Sequence, residues 1–473
     1  MSDTSQPTST RWPAQIKYIV GNEACERFSY YGMRSILAGY ITGKVLEGGL
    51  GKTDDEATEI IHLFVFVNYF MPLLGAWLSD KIIGRYRTIL WVSLFYCAGH
   101  GVLACSDLAG SVHGKLMLLW TGLALIAFGS GGIKPCVSAF MGDQFKPEQS
   151  HLLQKAYGAF YWAINFGSFF AFLAVPWVKN HHGYSPAFAV PGVLMALATF
   201  IFWLGRNRYV NVPTTRETRN AGFFRVVFAA LSGPRRNGGS FWDAARGRFS
   251  AMEIDAAKSV LPIILVFAPV TVFWSLFDQT NSTWVLQGEK MTPWNFFGFT
   301  VGAEEMQSMN PAIVMILVPL FTLGIYPRIG HWAAPLKRMA YGMFLGAASF
   351  VVVAALQTRI DHGMQLSVLW QTVPYVILTA AEVLLSTTGL EFAFREAAPE
   401  MKSIIMSFWL LTVAVGDLLV AVITKVFSNA AGNESISPER FLQYAGLTFA
   451  VAVLFSFVAA FYKYRDPTAA HGK

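Results

Sequence analysis

Charge is scarce in this chain: only 14% of its 473 residues are Asp, Glu, Lys or Arg, against roughly 25% in soluble globular proteins. That shortage excludes an ordinary water-soluble domain, and with 54% hydrophobic and 15% aromatic residues a disordered chain is excluded as well. Cysteine is equally thin. Cys25, Cys97, Cys105 and Cys136 lie within apolar runs at no metal-ligand spacing, so neither a disulfide framework nor a zinc site is indicated. The sequence also lacks an HExxH pair and any evident nucleophile with an oriented base, so nothing points to an enzyme. A cleavable leader pattern is missing too, because Met1 to Pro13 is polar and rich in Ser and Thr; the first apolar segment is expected to be retained.

What fills the place of charge is apolar sequence. Mean hydropathy is +0.43, and a membrane-crossing helix takes about 20 mainly apolar residues. Runs bounded by charge, Gly or Pro place spans at 15–42, 58–79, 88–107, 115–140, 152–176 and 186–205, then at 258–286, 308–327, 333–356, 367–392, 402–427 and 438–463. The predicted fold class is therefore all-α and integral to the membrane, with twelve spans in two six-helix halves, residues 1–205 and 258–473, joined by a linker at 206–257. With PRRNGG and many arginines the linker is too polar for an extra pair of spans, although GFFRVVFAALSG within it reads as a short interfacial helix with an apolar face against lipid headgroups. Net charge is +7. The basic residues are scattered among apolar segments instead of clustering on a solvated domain, so the charge reports topology and not nucleic-acid binding. Lys and Arg concentrate in the tails, the even-numbered loops and the linker, which puts both termini on the cytoplasmic side.

Ionisable side chains at membrane depth are costly and face a bundle interior or a wet cavity, so each is a functional candidate. Span 1 is the richest. Glu23, Glu26, Arg27, Tyr30 and Arg34 follow one another at helical spacing and share a stripe. Two carboxylates and two guanidinium groups there nearly neutralise one another, and two readings stay open: a proton switch that changes which pairs form, or an ion network that docks span 1 into the bundle. Lys134 on span 4, flanked by Gly129, Gly131 and Gly132, is expected to pair with Glu23 or Glu26. Tyr161, Asn165 and Ser168 share a face of span 5, and Trp274, Asp278 and Asn281 a face of span 7. Asn310, Glu382 with Ser386, and Trp409 add polar groups from spans 8, 10 and 11. Glu382 opposite Arg27 and Lys134 makes a bipolar cavity suited to a zwitterion, whose amine takes the carboxylate and whose carboxylate takes the cations. Tyr30, Tyr31, Trp274 and Trp409 fit either packing or ligand contact. His62, seven residues before Tyr69 on span 2, either hydrogen-bonds a neighbouring helix or relays protons. Asp417 and Lys425 on span 11 read as structural.

These residues carry a resemblance. Glu23-x-x-Glu26-Arg27-Phe28-x-Tyr30-Tyr31 resembles the ExxERFxYY element of the proton-dependent oligopeptide transporter family, and Phe160 to Ser168 is similar to its FYxxINxGS signature. Phe273 to Gln279 and Thr388 to Phe392 resemble its segments in spans 7 and 10, while Gly75 to Arg87 looks like the loop motif of the major facilitator superfamily. The resemblance implies a major-facilitator fold and proton-coupled import of di- and tripeptides, with the proton as coupling ion and no cofactor or metal. It gives proton coupling to Glu23, Glu26, Arg27 and Lys134, with His62 matching a histidine of the animal-type members. It also implies peptide contacts by Arg27, Tyr30, Tyr31, Arg34, Tyr69, Lys134, Tyr161, Asn165, Trp274, Asn310, Glu382, Ser386 and Trp409, and an outer gate pair of Arg34 and Asp278. Many bacterial relatives insert two helices between the halves and animal relatives carry a large domain between spans 9 and 10. Neither insertion fits here, which suggests a compact bacterial inner-membrane member, working as a monomer in the lipid bilayer.

Overall fold

A computed structural model describes residues 12–146, 149–212, 223–233, 240–396, 398, 401–427 and 436–464. The N-terminal tail, the PRRNGG stretch, and the side chains of Asp80 and Lys81 in the loop motif lie outside the described residues. The chain is a helical bundle whose long segments fall where the apolar runs place them. Among the described residues, ten helices are long and apolar enough to cross a membrane. The other two are span 1 (Ile16–Ser35, continuing as Leu37–Thr42), which carries Glu23, Glu26, Arg27 and Arg34, and span 3 (Arg85–Ala104), which carries Arg85, Arg87 and His100. Both pack inside the same bundle as the rest.

Local chemistry sets the helix boundaries where apolar runs alone leave them open. Span 2 (Asp54–Leu78) starts four residues before the apolar run because Thr53 and Glu56 form a capping box: the Thr53 hydroxyl accepts from the Glu56 N–H at 3.1 Å, and the Glu56 carboxylate accepts from the Thr53 N–H at 2.9 Å. Its other end continues as a π-helical turn, Ser79–Ile83, stopped by Gly84 at φ +83°. Span 8 does the same, with Met309–Pro319 passing into a π turn at Leu320–Ile325. Ser111 caps span 4 (Val112–Gly142), and Ser437 caps span 12 (Pro438–Phe461) with proline at its first position. Spans 5, 6, 9, 10 and 11 are Ser150–His182, Tyr184–Leu204, Pro335–Asp361, Thr372–Glu396 and Lys402–Phe427.

Span 7 departs from the expected single helix. Val260–Phe277 gives way to a 3-10 turn, Asp278–Asn281, then Ser282 leaves helical geometry and Thr283–Glu289 resumes. The cause is a run of short polar side chains that bond the backbone themselves: Gln279 donates to the Ser275 carbonyl at 2.8 Å and Thr280 to the Phe277 carbonyl at 2.8 Å. Asn281 therefore lies on the turn and not on a continuous helical face with Trp274.

Small residues set the close approaches. A Cβ on Gly75 of span 2 would sit 2.0 Å from the Gly132 carbonyl oxygen of span 4, and one on Gly167 of span 5 would sit 2.3 Å from the Ala24 carbonyl oxygen of span 1. The halves meet along two seams, span 2 with span 11 and span 5 with span 8. In the linker, Phe223–Ser232 is the helix expected from GFFRVVFAALSG, followed by a short turn Phe241–Ala245 and a helix Ala251–Lys258 that leads into span 7. A two-stranded hairpin, Trp294–Phe296 and Phe299–Val301, lies between spans 7 and 8.

The Gly75 contact is backbone on backbone, so Gly75→Ala is expected to force spans 2 and 4 apart and destabilise by about 1–3 kcal/mol, as overpacking does. Gly101→Ala, with nothing within 4 Å of its added Cβ, is the matched control. Thermal unfolding of the detergent-solubilised protein should separate the two; equal unfolding temperatures would remove the close-approach argument.

Candidate functional site

The polar residues of the spans converge between the halves. Within span 1, Arg27 Nε lies 3.1 Å from the Glu23 carboxylate and also contacts Glu26, and all three are buried. The stripe is neutralised largely within its own helix, one turn deep, where low dielectric strengthens each pair. Lys134 is placed differently from expectation. Its ammonium has no hydrogen-bond partner among the described residues and sits 4.3 Å from the Tyr30 ring centroid and 4.1 Å from that of Tyr69. Arg27 already engages both carboxylates, so the lysine takes the negative faces of two aromatic rings. Tyr30 is fully buried, its hydroxyl accepting from Asn68 at 2.9 Å, and its ring also has the Arg34 guanidinium at 5.5 Å.

One turn further, Arg34 crosses the interface. Its Nη2 lies 3.2 Å from Asp278 Oδ1, with both side chains buried, so spans 1 and 7 are tied where span 7 breaks. Beside this pair a cavity of about 170 Å³ opens between the halves. Its wall includes Tyr31, Arg34, Tyr69, Tyr161, Asn165, Trp274, Asp278, Asn310 and Glu382 from the residues singled out in the sequence. Glu382 accepts a hydrogen bond from Asn310 at 2.8 Å, and Asn310 also bonds Thr379 at 3.2 Å, which fixes amide and carboxylate together on the C-terminal half. The cavity therefore has an acidic wall from span 10 facing a basic one from span 1.

Five of the residues expected to contact peptide stand off the cavity wall. Arg27, Tyr30 and Lys134 form the layer behind it, and Trp409 backs Trp274, with ring centroids 6.2 Å apart and the indole seated over Gly389. Ser386 is half-buried one turn from Glu382. Residues that the sequence reading passed over also line the wall, among them Phe172, Phe277, Gln307 and Tyr375. Uncharged aromatic or amide side chains such as these give no signal against a background of apolar, aromatic-rich spans.

His62 bridges the seam between spans 2, 7 and 11. Its Nδ1 is 2.6 Å from Asp417 Oδ1 and its Nε2 is 2.8 Å from Ser282 Oγ, with all three side chains buried. A neutral ring satisfies both by donating to Asp417 and accepting from the serine hydroxyl; a protonated ring keeps the first bond and reverses the second. Asp417, read from sequence as structural, thus shares the histidine of the site and also neighbours Asp278 and Arg34. Its cost at membrane depth was the available signal. Towards the end of the bundle away from the termini, further contacts join the halves: Glu59 with Lys425 at 2.9 Å, Lys179 with Glu304 at 2.7 Å, and Gln307 donating to the Ser35 carbonyl at 3.0 Å. On the opposite end Arg85, from the facilitator-like loop, forks onto both oxygens of Asp143 at 2.7 and 2.6 Å. Among the described residues no three His, Cys, Asp or Glu side chains cluster as metal ligands.

Residues 86–438 match the PTR2 sequence pattern of the POT family. The chain belongs to the POT family. It is 36% identical over 370 residues to peptide transporter 3 of Caenorhabditis elegans, covering 75% of this chain and 52% of that one. To human solute carrier family 15 member 2 it is 35% identical over 373 residues, covering 75% and 50%. The chain thus spans about half the length of these curated relatives. Similarity to solved structures runs nearly end to end. A POT family transporter solved in meso superposes with a TM-score of 0.88 at 38% identity, covering 96% of this chain and 99% of that one. An auto-inhibited POT family peptide transporter gives 0.87 at 38% identity, covering 96% and 98%. The POT assignment accounts for the transporter-like bundle and for the ordered motifs of spans 1, 5, 7 and 10.

Two outcomes are expected from this geometry. His62→Ala strands Asp417 as a buried carboxylate, a loss of about 3–5 kcal/mol for a broken buried pair. Thermal unfolding should fall, and spin labels at Leu46 and Phe297, both almost fully exposed at the distal end, should report broader separations; unchanged values for both would make the bridge dispensable. Burial pushes the Glu304 carboxyl above its ordinary value of 4.5 although Lys179 pulls it down. The folded state then holds the proton to higher pH than the unfolded state, so stability falls as pH rises from 4.5 through the raised value. Glu304→Gln should flatten the pH dependence of unfolding over that window.

Proposed function

We propose that this chain is a proton-coupled symporter that imports di- and tripeptides by alternating access between the halves 1–205 and 258–473. The observation that carries the reading is the inter-half cavity with Glu382 and Asn310 on one wall and Arg34 on the other, backed by Arg27 and Lys134. A peptide backbone has one charge at each end, and this spacing of opposite charges on opposite halves lets one molecule engage both. Relatives named as peptide transporters favour the same substrate class.

In this reading Glu382 with Asn310 and Asn165 holds the peptide amine, and Arg27 and Lys134 hold its carboxylate. Tyr30, Tyr31, Tyr69, Tyr161, Trp274, Ser386 and Trp409 shape the side-chain space. Protonation of Glu23 or Glu26 releases Arg27 from its ion pair, and the freed guanidinium then prefers the peptide carboxylate. His62 shares the proton with Asp417, so a change of charge at that bridge changes the seam between spans 2 and 11. Arg34 and Asp278 close the distal side, and their exchange with solvent opens it. Two ligands that neutralise the cavity together favour the rocking of one half against the other. The proton is the only coupling species required, with no cofactor, no catalytic step and no second subunit. Both termini face the cytoplasm of a bacterial inner membrane, and the distal contacts between the halves are the ones that must part for peptide to enter from the other side.

A second reading, transport of a small anion such as nitrate, uses the arginines and Lys134 but leaves Glu382 without a purpose. Uptake of radiolabelled dialanine into proteoliposomes distinguishes them. An inward proton gradient should drive accumulation that excess unlabelled dipeptide suppresses and nitrate does not. Glu382→Gln should weaken dipeptide competition about ten- to hundred-fold, the worth of one hydrogen bond to a charged group. Binding without accumulation would indicate a receptor, and a chemical product formed from the peptide would indicate an enzyme.

A further inference from the structure

A second concave site lies on the linker, away from the cavity between the halves. One face of Phe223–Ser232 is buried: Phe223, Val226, Ala229 and Ala230 dock inward, with the Phe223 ring edge-on to Phe408 of span 11 at 5.7 Å between centroids. The other face is exposed and apolar, with Phe224 60%, Phe228 72% and Leu231 62% accessible. Between this helix and the Arg248–Phe249 turn runs an open groove of about 470 Å³, lined by Phe224, Arg225, Phe228, Ala229, Arg248 and Phe249.

Three properties of the groove fix the chemistry it would take. First, Arg225 and Arg248 have no ion-pair partner among the described residues, whereas nearby Arg246 is held by Asp243 at 2.9 Å. Second, the polypeptide passes directly from this turn through Ala251–Lys258 into span 7, so the groove lies at the membrane boundary and not out in solvent. Third, the phenylalanines are continuous with the two guanidinium groups on one surface, so the ligand needs an anionic head and a hydrocarbon body. A guanidinium pair grips phosphate oxygens, and an amphipathic helix at the interface lays its aromatic side chains among acyl chains.

We propose that this groove binds the headgroup of an anionic phospholipid, with its phosphate between Arg225 and Arg248 and its acyl chains along Phe224 and Phe228. The site tethers the linker to one leaflet. Its basis is the membrane bundle alone, so it stands whether or not the chain carries peptides.

The test uses the full chain reconstituted with photoactivatable analogues of phosphatidylglycerol and phosphatidylcholine, with adducts mapped by mass spectrometry. Phosphatidylglycerol should label 223–249 in preference to phosphatidylcholine. Arg225→Gln with Arg248→Gln should cut that preference about thirty-fold, each arginine counting as one basic residue near an anionic surface; Arg246→Gln should leave it intact. Phe224→Ser with Phe228→Ser should lower labelling by both lipids. Equal labelling by the two lipids in the unmodified protein overturns the proposal, as does undiminished preference in the double arginine variant. Loss of labelling on adding inorganic phosphate would mean a site for soluble phosphate and not for lipid. Should the arginine variant fail to fold, the preference of the unmodified protein and its response to phosphate still decide.

Discussion

Arg34 and Asp278 meet between the halves at a depth where neither could remain charged alone. A buried ion in low dielectric costs several kcal/mol unless a counter-charge with good geometry accompanies it, and that constraint orders the rest of the site. Span 1 meets it internally, with Arg27 between Glu23 and Glu26. His62 meets it across the seam, with Asp417 on one nitrogen and Ser282 on the other. Lys134 meets it without a carboxylate, by resting on two tyrosine rings. Each of these groups is thus at once a charge at membrane depth and a tie within the bundle.

The neutralisation is uneven, and the unevenness gives the cavity its polarity. On span 1 two carboxylates, Glu23 and Glu26, are followed by two guanidinium groups, Arg27 and Arg34, so the stripe is nearly balanced before any partner arrives. Glu382 instead is held by amide and hydroxyl chemistry through Asn310 and Thr379, which supplies hydrogen bonds but no positive charge. Across the same cavity Arg34 is paired with Asp278, so the two walls differ in kind: one charge is met by neutral donors and the other by a counter-ion.

Much of this was legible in the sequence. Ten of the twelve expected segments follow from apolar length, and the stripe of span 1 follows from spacing, because a helix converts intervals of three and four into a common face. Asn310 and Glu382 were both recognisable as polar groups on separate spans, although their direct hydrogen bond was not. What the sequence concealed has definite causes. The break in span 7 contains neither proline nor glycine, and arises from Gln, Thr and Asn side chains competing for backbone groups. The partner of Lys134 is a pair of aromatic faces, and aromatic residues in a membrane chain are too common to single out. Asp417 stands next to His62 in space but 355 positions away in the chain, and no periodicity links residues on different halves.

Span 2 has two unlike sides. On one, Gly75 and Gly132 bring main chain against main chain, an approach that leaves nothing to repack and no water to admit. On the other, His62 and Glu59 reach span 11 through bonds that a proton or a competing ion can remake. One side is a weld and the other a latch. A helix built this way is anchored to its own half by main-chain contact and to the other half by side-chain bonds alone.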